Sequence, residues 1–381
     1  MSIIKKYFPI ILLISASATF YFLNILIKKE LPNLYTNWVY IIFILTLFPS
    51  VCFSAFDSYL IRESQIYNNK IKLPKKTLSY AFISATLFSI IFTIFSDFNI
   101  YIFLSLFLTA IGILISITLR LDNQFLASQY FNFSWKLSLA IIVLYCITQE
   151  KKVELYQAIL CSLSIGTLIS IFPFIKNRNI RYYKEKFDKK THLSLLYSII
   201  SIALLFNYEK IVININFSKE IFADYFFAYT VLFMPVNVIA SYISQVALID
   251  FKDHKKGNSF IKNIDKCALI TSIILFIYFI FICFFMKYIS VNIETQYIIY
   301  FFIFSTLKIL DSLLSSLLSL HATHAQIIKL NKYPNIFIVF LLIITCILPS
   351  IQIILLSQLF LWSLRVFLYY KLTKKLNLIK I

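Results

Sequence analysis

Long apolar runs separated by short polar breaks occupy nearly the whole chain. A helix needs about 20 mostly apolar residues to cross a bilayer core. That length predicts twelve spans: Tyr7–Ile27, Trp38–Ile61, Thr77–Phe95, Asn99–Leu119, Phe131–Thr148, Leu155–Ile175, His192–Ile213, Phe222–Ile249, Cys267–Ile289, Tyr297–Leu320, Asn335–Leu348 and Ile351–Tyr370. The eleventh is short. Pro349–Ser350 reads as a tight turn before the twelfth, and a single kinked helix there would give eleven spans instead. The first run follows Lys5–Lys6 as a signal peptide would, but at about 20 residues it exceeds a secretory apolar core and is expected to be a retained helix.

One pattern occurs twice. In Asn207–Asp250 the doublet Glu209–Lys210 precedes a short break, Phe217–Ser218–Lys219–Glu220. Asp224–Tyr225 is then expected to open a helix that contains Pro235. Near the N-terminus the break is Lys28 to Pro32, Asn37–Trp38 takes the place of Asp224–Tyr225, and Pro49 that of Pro235. Arg120, Asp122, Asn123 and Gln124 after the fourth run likewise match His321, Thr323, His324 and Gln326 after the tenth. A unit used twice predicts two related halves, a common construction among transporters. The expected division is 1–185 and 186–381, with the joint in the basic segment Lys176–Thr191.

The distribution of charge supports this reading. With both termini on the cytoplasmic side, the inner segments hold 26 Lys and Arg residues and the outer loops 7, while Lys136, Lys308 and Arg365 fall inside helices. Such a bias sets orientation. It also explains the net charge of +19 without nucleic acid, since basic loops rest against anionic headgroups.

Composition narrows the class further. The chain is 60% hydrophobic and 14% charged, which is a polytopic membrane protein rather than a soluble domain. Only 3 glycines are present, so Ser and Ala are expected to provide close helix packing. The cysteines (52, 146, 161, 267, 283, 346) are scattered without metal-ligand spacing and read as packing thiols. His321 and His324 could share a helix face, but no carboxylate or cysteine accompanies them, and no metal or other cofactor is expected. No Walker phosphate loop is present.

Charges inside spans are costly and tend to face one another or a wet path. Lys308 and Asp311 sit three residues apart, either as a self-neutralising pair or as an ion site. Glu209 and Lys210 lie in the outer part of the seventh run. Their side chains diverge by about 100°, and they either snorkel or serve a site. Asp57 and Arg62 near the inner end of the second run admit a local ion pair. Lys136 and Arg365 are close enough to helix ends to snorkel. Asn24 and Gln245 either bond between helices or face a cavity.

The Glu209–Lys210 doublet and the loop ending Ala223–Asp224–Tyr225 resemble the seventh and eighth helices of Wzx-type polysaccharide flippases, which belong to the multidrug/oligosaccharidyl-lipid/polysaccharide exporter superfamily. The family's loop glycine is replaced by Asp224 here and by Asn37 in the first half. The hydropathy match extends over nearly the whole chain. The resemblance implies an all-α fold of two six-helix bundles around a central cavity. It implies movement of an undecaprenyl-diphosphate-linked oligosaccharide, such as an O-antigen repeat unit, across the bacterial inner membrane, coupled to an ion gradient. The protein would then be a transporter rather than an enzyme, working beside a polysaccharide polymerase and a chain-length regulator. Arg62, Lys210 and Lys308 become candidates for diphosphate contact, and Asp57, Glu209 and Asp311 for ion coupling or for holding those cations. Two other readings stand beside it: a drug or cation exporter of the same superfamily, which would favour an acidic cavity, and a polysaccharide polymerase, which would carry a large outer loop.

Overall fold

A computed structural model describes residues 3–52, 65–67, 70–94, 96, 98–122, 124–176, 180–183, 204–240, 264–289, 291–322 and 324–376. The helices cluster into two compact units, Met1–Ala203 and Leu204–Ile381. The expected joint at 185/186 lies outside the described residues.

The first unit contains α1 (Ile3–Glu30), α2 (Pro32–Cys52), β1 (Gln65–Tyr67), β2 (Lys70–Pro74), α3 (Lys75–Ile94), α4 (Ile100–Leu121), a single turn at Phe125–Ser128, α5 (Tyr130–Thr148), α6 (Leu155–Lys176) and β3 (Ile180–Tyr183). The second contains α7 (204–216), α8 (Lys219–Ala240, with a π-helical turn at Tyr229–Phe233), α9 (Ile264–Tyr288), α10 (Thr295–His321), α11 (His324–Ile347) and α12 (Ile351–Lys375). Among the described residues eight helices are long and apolar enough to cross a membrane, namely α3 to α6, α8, α9, α10 and α12. This fits a polytopic α-helical membrane protein. Apolar side chains such as Leu168, Phe172, Ile277 and Phe284 project outward from these helices, as a lipid-facing surface requires.

Close packing in the first unit follows from small residues on one ridge of α6. Ala158, Ser162, Gly166 and Ser170 recur every four residues and are buried. A Cβ on Gly166 would lie 2.8 Å from Trp135 Cβ, and one on Gly112 of α4 would lie 2.3 Å from the Phe131 ring, so both glycines permit the approach of α5. Ser and Ala do supply most of the ridge, but two of the few glycines sit where α5 comes closest.

Two local expectations need correction, and of the two readings of the eleventh and twelfth runs the tight turn holds. The breaks are shorter than the polar residues imply. Leu31 alone separates α1 from α2, where Pro32 occupies a first-turn position that needs no amide donor. In the second unit Ser218 caps α8 by accepting from the Ile221 amide, so Asp224–Tyr225 lies inside the helix rather than at its start. The single kinked helix proposed for 335–370 is ruled out. Tyr369 on α12 donates to Asn331 on α11 at 3.1 Å, whereas 38 residues of continuous helix would separate them by about 57 Å. The α11 and α12 helices therefore form a hairpin about Leu348–Ser350.

The chain is also not wholly helical. The β1–β2 ribbon is antiparallel, and β3 pairs with β2 in parallel, with Lys72 opposite Arg181. The two segments read as loops thus meet. Four of the membrane-length helices, α3 to α6, lie between the paired strands. An even number of crossings is what returns the chain to the side it left. Reporter fusions after Asn69 and Lys184 are accordingly expected to report the same, cytoplasmic, compartment, and a fusion after Lys152 the opposite one. Opposite signals at Asn69 and Lys184 would contradict both the sheet and the charge bias.

Candidate functional site

In the first unit Asn24 is fully buried, and its Oδ1 accepts from Trp38 Nε1 at 2.9 Å and from the Tyr35 hydroxyl at 3.5 Å. The residue fastens α1 to α2. Lys136 of α5 is half-buried, with its ammonium 5.5 Å from the Phe20 ring centre of α1. Asp57, Arg62 and Gln245 lie outside the described residues.

The charges concentrate in the second unit. Helix α10 buries a stripe at helical spacing: Tyr297, Phe301, Phe304, Lys308 and Asp311. Helix α12 buries a matching stripe of Gln358, Trp362, Arg365 and Tyr369. Phe304 meets Trp362 edge-on with ring centres 5.3 Å apart, and Asp311 meets Arg365, so residue numbers rise together along both helices. The two helices run parallel and pack directly on each other, with α11 as the antiparallel connection in sequence.

Lys308 and Asp311 do not pair. Arg365 Nε donates to Asp311 Oδ1 at 2.7 Å, and Arg365 also reaches Asn331 Oδ1 at 3.5 Å, the oxygen that accepts from Tyr369. Arg365 is buried rather than snorkelling, with its guanidinium over the Tyr369 ring at 4.5 Å. The ammonium of Lys308 instead lies 3.9 Å from the ring centre of Phe206 and 4.8 Å from that of Trp362. The cause is the direction of side chains on a helix, which lean toward its N-terminus. Lys308 leans away from Asp311, toward the aromatic end of the stripe. A cation placed N-terminal to its carboxylate is the poorer order for an intrahelical pair.

Glu209 and Lys210 are both buried in α7, not at a surface. The Lys210 ammonium donates to Phe206 O and Asn207 Oδ1, each at 3.1 Å, and lies 4.2 Å from the Tyr229 ring centre. It is 3.8 Å from Glu209 Oε1. The Tyr225 hydroxyl of α8 lies beside the Glu209 carboxylate, and Tyr300 of α10 flanks the pair. Among the described residues neither carboxylate oxygen has a hydrogen bond of normal geometry. The doublet therefore faces a layer of tyrosines in which carboxylate and ammonium both have polar or aromatic company.

Helix α8 holds its tyrosines through a widened turn. Its π-helical segment begins at Tyr229 and ends just before Pro235. Proline has no amide to offer the Val231 carbonyl one turn back, and the Tyr278 hydroxyl of α9 donates to that oxygen at 2.8 Å. Single π turns inside α-helices are frequent at functional sites.

Arg365, Trp362, Asn331 and Tyr369 were missed as site residues. The signal was present in the spacing of Gln358, Trp362, Arg365 and Tyr369 on α12, which places four polar or amphipathic side chains on one face. Among the described residues the buried charges of the whole chain are Glu209, Lys210, Lys308, Asp311 and Arg365, all in the second unit. Three cations thus stand against two carboxylates. Comparison with known proteins finds no family profile that matches the chain and no curated protein with a significant match.

Proposed function

We propose that the protein is a flippase for a diphosphate-linked lipid oligosaccharide in the bacterial inner membrane. The observation that carries this reading is Lys308, a buried cation inside an apolar helix that has two aromatic rings around it and no ion pair among the described residues. A diphosphate crossing a low-dielectric region needs such partners, and a charge kept there without a carboxylate of its own is available to a passing anion. Lys210 and Arg62 are the other cations assigned to the diphosphate. Glu209 and Asp57 are assigned to ion coupling, whereas Asp311 holds Arg365. The excess of buried cations over carboxylates disfavours a cation exporter.

Twelve spans in two six-helix halves, with both termini cytoplasmic, complete the proposal. The described helices α1, α2, α7 and α11, which are not among the eight of membrane length, overlap four further expected spans and are assigned to them in this reading. The two repeat copies also share a contact. An aromatic residue at the matching position of the second helix, Trp38 or Tyr225, meets a polar residue of the first, Asn24 or Glu209. The undecaprenyl carrier, ion-gradient coupling and cooperation with a polymerase and chain-length regulator follow from the family resemblance.

Deletion of the gene is expected to leave single repeat units on the inner-leaflet carrier lipid and to abolish surface polymer, with restoration by the intact chain. Single repeat units that still reach the surface unpolymerised would assign the protein to polymerisation instead.

A further inference from the structure

Trp362 of α12 is fully buried, and its ring is held edge-on by two others. Phe206 of α7 stands at 4.9 Å and Phe304 of α10 at 5.3 Å between ring centres. Tryptophan has one polar atom, an indole nitrogen that only donates. Among the described residues Trp362 Nε1 has no hydrogen-bond partner. Trp38 of the first unit, by contrast, donates to Asn24 Oδ1 at 2.9 Å. A buried donor without an acceptor is uncommon in folded proteins and costs stability. Packing alone would be served by an aromatic ring without the N–H.

A second donor stands beside it. The buried Lys308 ammonium lies 4.8 Å from the Trp362 ring centre. Its neighbour Asp311 is held by Arg365. Gln358, one turn earlier on α12, serves neither group: its Nε2 donates to Leu205 O at 2.9 Å, and its Oε1 has no partner among the described residues. Two donor-only groups therefore adjoin in the interior of the second unit, and one of them is a cation. The ammonium stands over the indole face, whereas the N–H projects from the ring edge. A ligand that satisfies both must carry negative charge and present acceptors in two directions. The oxygens of a phosphoryl group do so through charge-assisted hydrogen bonds.

We infer that Trp362 is a ligand-binding residue whose indole N–H donates to a phosphoryl oxygen of the anion that Lys308 attracts. The inference rests on the reading of Lys308 given above and adds to it a neutral donor of fixed direction. An ammonium on a flexible stem supplies charge but little orientation. The indole, clamped by Phe206 and Phe304, supplies the orientation.

The test uses the full chain in nanodiscs, isotope-labelled at the indole nitrogens and followed by nuclear magnetic resonance. The 3 tryptophans give three indole signals. That of Trp362 is assigned by its absence from Trp362→Phe, or by elimination with Trp38→Phe and Trp135→Phe. The probe is farnesyl diphosphate. It is expected to move the Trp362 indole proton downfield, as a new hydrogen bond does, and to leave the other two in place. Farnesol is expected to move none of them, and an equal shift from farnesol would overturn the inference by assigning the change to the prenyl chain. An equal shift from inorganic phosphate would support the donor and assign it to free phosphate. Trp362→Phe and Lys308→Met are each expected to weaken diphosphate binding at least about tenfold in calorimetric titration. A Trp362 signal that stays in place at saturating diphosphate overturns the inference, as does a Trp362→Phe variant that binds as tightly as wild type. Binding that needs Lys308 but not Trp362 would overturn this inference and leave the flippase reading standing. Single repeat units that reach the surface of the deletion strain would overturn that reading while a shifted Trp362 signal still supports this one.

Discussion

Asp311→Ala is expected to destabilise the protein by about 3–5 kcal/mol, because it strands the Arg365 guanidinium in an apolar interior. Guanidinium cannot escape by losing its proton, so the cost falls on folding. Asn331 and Tyr369 would be displaced with it, since both belong to the same hydrogen-bonded set. Membrane protein level measured by blot, together with Tm of the purified protein, should show a large loss. The Asp311→Leu/Arg365→Met double variant should recover most of it, because apolar groups of similar size commonly replace a buried ion pair at little cost. Lys308→Met combined with Asp311→Ala should recover none. Rescue by the Lys308 combination and not by the Arg365 combination would restore the intrahelical pair and contradict the 2.7 Å contact.

Lys308→Met alone should behave in the opposite way, leaving the fold intact and removing activity. Methionine fills the same volume between Phe206 and Trp362 and makes favourable sulfur–aromatic contacts there. The lost cation–π attraction, about 0.5–2 kcal/mol, is offset by relief from burying a charge. Surface polymer in a complemented deletion strain, normalised to protein level, should fall at least about tenfold, the equivalent of about 1.4 kcal/mol in the transition state. Wild-type polymer in Lys308→Met would remove this residue from the transport path and with it the main support for the proposed function.

The contrast between Asp311 and Lys308 shows how far the sequence reaches. Apolar run length alone gave the polytopic α-helical class, because burial of backbone polar groups in hydrocarbon leaves few alternatives to helix. The bias of basic residues gave an orientation, and the parallel pairing of β2 with β3 is compatible with it. That Glu209, Lys210, Lys308 and Asp311 are unusual was also plain from their cost in an apolar segment. Their partners were not. Spacing on α10 put Lys308 and Asp311 on one face but could not say which way each leans, nor that α12 lies parallel alongside and brings Arg365 to the carboxylate. Tyr225 beside Glu209 and Tyr278 on the Val231 carbonyl are likewise contacts between helices. The small sheet joins residues more than a hundred positions apart, and nothing local in either loop announced it. Periodicity reports which face of each element is buried, since that depends only on the residues of the element itself. Which charge meets which depends on the direction and register of neighbouring helices, and that is set by the packing of aromatic stripes and small-residue ridges across the whole unit.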